Sequence, residues 1–258
     1  MIICNSRKFI FIHIHKTGGT SVERALDPHL AWNDLILGGS PFGEKIQQPY
    51  TKKFGLSKHS TVADAERVCG SSIIADYYVF GLVRNPLSRL CSVYNFVATT
   101  LQKWAKQQNI SLDLDDVARH ITPEAAQKKP GLKWASTKAF LESRGFSEFI
   151  RRPELTEAPG FRPQLSCLAG AGDSRPRAEF FRLEDYPEWI SELNTRLGIE
   201  FTLHRENESQ LKLVDDRTVG NEDRAYIESA FHQDYEAFGY RTVPDQLPNA
   251  NGDAIINS

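Results

Sequence analysis

The sequence predicts an α/β fold. Two apolar runs of strand length, residues 9–14 and 77–83, carry most of that reading, because each is followed by a turn that opens a helix-like pattern. A third short run, residues 179–184, again precedes a helical pattern. A chain of 258 residues can bury a full core, which predicts a single domain over 1–243 with a helical insertion at about 107–160.

The first run, FIFIHI, holds bulky apolar side chains and no turn former, as a buried strand does. Lys16-Thr17-Gly18-Gly19-Thr20-Ser21 follows. Paired glycines let the backbone turn sharply and bring its N–H groups close to a ligand. Thr20 and Ser21 are good N-caps, and Val22, Ala25 and Leu26 recur at helical spacing until Pro28. A strand, a glycine turn bearing a lysine and a helix N-terminus together make an anion site, best fitted by phosphate. The order differs from a Walker A loop, whose lysine follows its last glycine, whereas Lys16 precedes both.

Residues 29–53 are rich in Gly, Pro and Asn and read as irregular surface structure with room for a short helix. The segment Leu56-Ser57-Lys58-His59-Ser60-Thr61 leads into a helix from Val62 to about Val68. The second strand ends in Arg84-Asn85-Pro86, with proline at a helix N1 position. Leu87, Leu90, Cys91, Tyr94, Phe96 and Val97 then mark an amphipathic helix to about Lys106. Arg84 leaves the strand end as a bidentate phosphate donor. Ser92, about two helical turns on, can face the same cleft.

Residues 107–160 are the least regular, with Pro123, Pro130, exposed-looking Trp104 and Trp134, and short amphipathic pieces at 136–141 and 146–150. Such an insertion commonly forms a lid or an acceptor wall. Helices are expected at 186–197, stopping at Gly198, and at 222–238, stopping at Gly239. Residues 244–258 lack apolar periodicity and are expected to form a flexible tail.

A net charge of −2 gives no sign of a polyanion-binding surface, which argues against a nucleic-acid partner. Cys4, Cys69, Cys91 and Cys167 show no paired spacing, point to neither a zinc site nor a disulfide framework, and fit a reducing compartment. The N-terminus runs straight into the first strand, leaving no room for a signal peptide, and residues 9–14 are too short to span a bilayer. A cytoplasmic protein is the expectation.

Two motifs carry a family resemblance. The glycine turn is similar to the 5′-phosphosulfate loop of sulfotransferases, which use 3′-phosphoadenosine 5′-phosphosulfate (PAPS) as donor. The segment R-N-P-x-x-R-x-x-S-x-Y, with Arg84, Arg89, Ser92 and Tyr94, resembles their 3′-phosphate motif. Both occur in this order, each at a strand-to-helix junction. Weaker support comes from KHSTVADA, the RPQ of 162–164, FRLED and DYEAFGY. The chain resembles carbohydrate sulfotransferases, nearest the Golgi enzymes that sulfate glycosaminoglycans and their bacterial relatives. That resemblance implies a P-loop NTPase-like three-layer sandwich with a central parallel sheet flanked by helices. The family commonly has proline where this chain has His15, which puts an ionisable ring beside the loop.

The resemblance implies that PAPS is the co-substrate, with no metal required, and that the acceptor is a hydroxyl of a carbohydrate or glycolipid. Lys16 would stabilise charge on the departing 5′-phosphate. The backbone N–H groups of Thr17, Gly18, Gly19 and Thr20, with the Thr20 and Ser21 hydroxyls, would hold that phosphate. Arg84 and Ser92 would hold the 3′-phosphate. His59 is the first candidate for general base and Glu23 the second. His13 and His15, two apart on a strand, share a face; a packed or donor-side role is favoured over metal ligation, for which no Cys or Asp partners are evident. Gln164 and Glu184 are weaker candidates for acceptor contacts. The alternatives are a nucleoside or sugar kinase of the same fold class and a relative that binds a nucleotide or glycan without chemistry.

Overall fold

The computed structural model describes residues 1–111, 114–173, 175–204 and 210–241. The tail expected at 244–258 lies outside the described residues. Five strands form one sheet: β1 (Ile2–Cys4), β2 (Phe9–Ile12), β3 (Leu35–Ile36), β4 (Tyr78–Val83) and β5 (Glu179–Arg182), in the order β3-β1-β2-β4-β5. The three strands foreseen in the sequence, β2, β4 and β5, run parallel, with Ile12 beside Gly81 and Val83 beside Arg182.

The sheet is mixed: beside the parallel strands, one edge is antiparallel. Strand β1 pairs antiparallel with both β2 and β3. Only Asn5–Lys8 separate β1 from β2, enough for a hairpin but too few for a parallel crossover. All four side chains of β2 are buried, as a strand covered on both faces requires. Ile10 and Ile12 pack with Leu165 and Leu168 on one face, while Phe9 and Phe11 pack with Phe80, Leu82 and Phe181 on the other. The strand period of two sends alternate residues into separate cores.

Helices cover the sheet in chain order: α1 (Gly19–Leu26), α2 (Pro41–Phe54), α3 (Val62–Cys69), α4 (Ser71–Asp76), α5 (Pro86–Gln108), α6 (Leu114–His120), α7 (Pro123–Lys128), α8 (Ala135–Glu142), α9 (Phe146–Ile150), α10 (Gln164–Leu168), α11 (Ile190–Leu197), α12 (Asn221–Ala230) and α13 (His232–Ala237). Helix α2, 14 residues long, stands where irregular structure with at most a short helix was expected. Ser40 caps it by accepting from the Gly43 N–H at 3.1 Å, and Pro41 fills its first turn. Gly43 is its only buried residue, so no apolar stripe announced it.

Helix α5 is the longest. The Asn85 side chain accepts from the N–H groups of Leu87 and Ser88, and Pro86 occupies N1. Its apolar face anchors a third core with the insertion helices α8 and α9, through Phe140, Phe149 and Ile150. Trp104, exposed-looking in the sequence, is buried in that core, whereas Trp134 is 45 % exposed. The expected helix over 222–238 breaks at Phe231 into α12 and α13, and the helix expected from 186 begins at Ile190. Among the described residues, no helix is long and apolar enough to cross a membrane.

Candidate active site

The loop after β2 turns on two left-handed residues, Lys16 at φ 65° and Gly18 at φ 83°. A lysine rarely adopts that conformation, and local strain of this kind concentrates at ligand-binding loops. The Thr17 hydroxyl donates inward to the Ile14 carbonyl at 3.0 Å, so this residue can offer a ligand only its backbone. Gly18, not Thr20 or Ser21, is the N-cap of α1. Its backbone alone bends the chain into the helix, so both hydroxyls fall within the first turn. A Cβ on Gly19 would stand 2.2 Å from the His13 ring, so only glycine lets the loop close over that histidine.

Lys16 reaches across to α5, where its Nζ lies 4.1 Å above the Phe96 ring. Phe96 follows Ser92 by one helical turn, so the two share a face of α5. Burial, reinforced by the charge of Arg84, pushes the Lys16 ammonium down to about 8. Arg84 Nη1 stands 3.5 Å from the Lys16 carbonyl. Among the described residues neither cation pairs with a carboxylate, and the Ser92 hydroxyl makes no hydrogen bond. Lys16, Arg84 and the α1 N-terminus therefore gather at the carboxyl ends of β2 and β4, the usual ligand position in an open α/β sheet.

The turn that carries Arg84 is gripped from two sides. Arg84 N–H donates to Gln164 Oε1 at 2.9 Å, and Gln164 Nε2 donates back to the Arg84 carbonyl at 2.8 Å. The next N–H, that of Asn85, donates to Glu184 Oε1 at 2.8 Å, and the Tyr240 hydroxyl donates to Glu184 Oε2. Gln164 is fully buried, which corrects its expected acceptor contact, and both oxygens of Glu184 are engaged. Buried Asp234 accepts from the N–H groups of Gln164 and Leu165, each at 2.9 Å.

A second cluster forms around His59. Its Nδ1 lies 2.8 Å from the His13 carbonyl. A carbonyl only accepts, so Nδ1 carries the proton and the neutral ring keeps its lone pair on Nε2. Burial first, then the neighbouring His13 and His15, holds His59 well below the ordinary histidine value. The His15 ring lies 3.6 Å from that of His59 and the His13 ring 4.6 Å, centroid to centroid. Burial also lowers His13 to about 4 and His15 to about 3. Strand β2 ends before His13, yet both rings meet the same partner.

Glu23 is fully buried behind His13. The Met1 amine is 2.6 Å from Oε1, His13 Nδ1 is 2.8 Å from Oε1, and Lys58 Nζ is 3.6 Å from Oε2. Burial raises its pKa, but these partners outweigh burial and hold the carboxyl at about 2. Such a carboxylate is a poor proton acceptor at neutral pH. Lys58 N–H donates to Gln47 Oε1 at 2.8 Å, so α2 steadies the His59 loop, a part the sequence did not announce. No group of three or more His, Cys, Asp and Glu among the described residues could hold a metal ion.

Parallel strands ending in a cationic, glycine-bent loop and a capped arginine turn define an α/β protein with two cations gathered at the ends of neighbouring strands. A profile of the sulfotransferase family matches residues 1–164, and the chain belongs to that family. No curated protein matches the chain, and no solved structure does. The match takes in both cationic turns and ends at Gln164, so Glu184, Asp234 and Tyr240 lie beyond it.

Proposed function

We propose that this protein transfers a sulfuryl group from PAPS to a hydroxyl of a carbohydrate or glycoconjugate acceptor. The observation that carries the reading is the approach of Lys16 and Arg84, two cations without a carboxylate partner among the described residues, at the ends of neighbouring parallel strands. Such a pair fits a ligand with two separated anionic groups. When bound, the donor supplies a sulfuryl group on a phosphate leaving group.

In this reading the N–H groups of Thr17 to Thr20 and the hydroxyls of Thr20 and Ser21 hold the 5′-phosphate. Arg84 and Ser92 hold the 3′-phosphate, which separates this donor from ATP. The base is assigned to His59 rather than Glu23, because the His13 carbonyl holds its Nδ1–H and leaves the Nε2 lone pair available, whereas both Glu23 oxygens face buried nitrogen donors. The acceptor hydroxyl gives its proton to Nε2 as its oxygen bonds sulfur. Lys16 meets the electron pair left on the phosphate oxygen as the old S–O bond breaks. His15, whose tilted ring lies 3.6 Å from that of His59, keeps that ring from turning. A cytoplasmic location belongs to the same reading, supported by four free thiols.

Incubation with ³⁵S-labelled PAPS and a panel of neutral and acidic oligosaccharides tests the proposal. Label carried to a saccharide by the wild type, and abolished in Lys16→Ala, supports it. Label carried only to non-carbohydrate hydroxyls overturns the acceptor class, and transfer of phosphate from ATP overturns the donor.

A further inference from the structure

The Gln164 side-chain amide meets the Arg84 peptide as a neighbouring strand would. It accepts from the N–H and donates to the C=O of one residue, at 2.9 and 2.8 Å. Strand β4 ends at Val83, so this amide extends the ladder by one residue, up to the Cα that bears the Arg84 guanidinium. Glutamine and asparagine alone carry a donor and an acceptor side by side in this way. The amide is itself fixed. Asp234 accepts from Gln164 N–H at 2.9 Å and from Nε2 at 3.3 Å, while its other oxygen accepts from Leu165 N–H.

Asp234 sits on α13 and is fully buried, and the buried Arg89 faces it as a counter-charge. Arg89 Nη2 donates to the Arg162 carbonyl at 2.7 Å, tying α5 to the segment that enters α10. Arg84, Gln164 and Asp234 thus form one continuous chain from the candidate donor site to the C-terminal helices. Its far half lies outside the stretch matched by the family profile.

We infer that Gln164 and Asp234 are positioning residues for Arg84, and that through it they set the preference of the site for a 3′-phosphorylated nucleotide. The inference rests on the donor reading above. A flexible arginine at a free strand end would lose rotamer and backbone entropy on meeting a phosphate; the clamp removes the backbone share in advance. Only the 3′-phosphate contact depends on it. A ligand lacking that group gains nothing from a fixed Arg84.

Calorimetric titration with 3′-phosphoadenosine 5′-phosphate (PAP) and with AMP tests this on wild type, Gln164→Met and Asp234→Asn. Gln164→Met keeps length and volume, removes both bonds to Arg84, and leaves Asp234 its two backbone donors. The expected result is about tenfold weaker PAP binding with AMP affinity unchanged, the loss of about 1.4 kcal/mol. Asp234→Asn shifts the same ratio in the same direction. In an Arg84→Ala background Gln164→Met has no further effect on PAP, because the two act through one contact.

A purely structural role would lower PAP and AMP affinity together, leave the ratio unmoved, and overturn the inference. So would full PAP preference in both variants. If the wild type itself binds AMP as well as PAP, the donor reading fails and this inference fails with it. A wild-type preference retained by the variants sinks the clamp alone.

Discussion

Arg84 Nη1 stands 3.5 Å from the carbonyl of Lys16, joining the ends of two parallel strands whose turns lie 68 residues apart in the chain. Two cations are held near each other in a partly buried site, with no carboxylate partner among the described residues. That arrangement costs free energy in the ligand-free protein and is recovered when an anion enters.

Lys16 reports this directly. Its ammonium, held at about 8 by burial and by Arg84, returns toward the ordinary lysine value when a phosphate neutralises the site. Binding therefore takes up protons where the free lysine is partly deprotonated, and affinity falls as pH rises above about 8. Titrations with PAP in two buffers of different ionisation enthalpy should show proton uptake growing from pH 7 to 8.5. Lys16→Met should abolish that uptake. Equal uptake in the variant would assign the proton elsewhere.

His59 and Glu23 should separate cleanly. His59→Ala is expected to lower kcat by about 10²–10⁴ while leaving PAP affinity unchanged, as loss of a general base does. Glu23→Gln should act on stability, because it leaves Lys58 and the Met1 amine without their buried counter-charge and His13 without its carboxylate acceptor. Breaking a buried pair costs about 3–5 kcal/mol. Urea melts and turnover of the folded fraction give both quantities. A stable Glu23→Gln enzyme with kcat reduced as far as that of His59→Ala would make Glu23 the base.

Acid should unfold the protein earlier than carboxylates alone require. His13 and His15 titrate at about 4 and about 3 in the folded chain, and near 6.5 once unfolded. The unfolded chain therefore holds more protons below about pH 6.5, and stability falls as pH drops through that window. Glu23, held at about 2, adds stability above the ordinary carboxylate range that is lost on further acidification. The urea midpoint should drop between pH 7 and 5, less so in His15→Asn. A midpoint independent of pH across that range would contradict the buried, neutral state of these rings.

The sequence disclosed what is local. Lys16 to Ser21 and Arg84 to Pro86 are legible because glycine, proline and a cation each mark a strand end within a few residues. Strands β1 and β3 escaped notice because two or three residues carry no period, and α2 was foreseen as no more than a short helix because it buries only Gly43. The partners of the site are distant in the chain: Gln164 is 80 residues from Arg84, and His59 is 46 from His13. No periodicity links such pairs. The role of RPQ and DYEAFGY, weak motifs in the sequence, becomes visible only when Gln164 and Asp234 are seen bonded behind Arg84.

The most direct test of the central claim is a calorimetric comparison of PAP, AMP and ATP on wild type and Arg84→Ala. The account predicts selective binding of PAP by the wild type. Arg84→Ala should weaken it roughly ten- to hundredfold, the loss of a charge-assisted contact of about 1.5–3 kcal/mol. ATP bound as tightly as PAP, or PAP binding unchanged in Arg84→Ala, would contradict it.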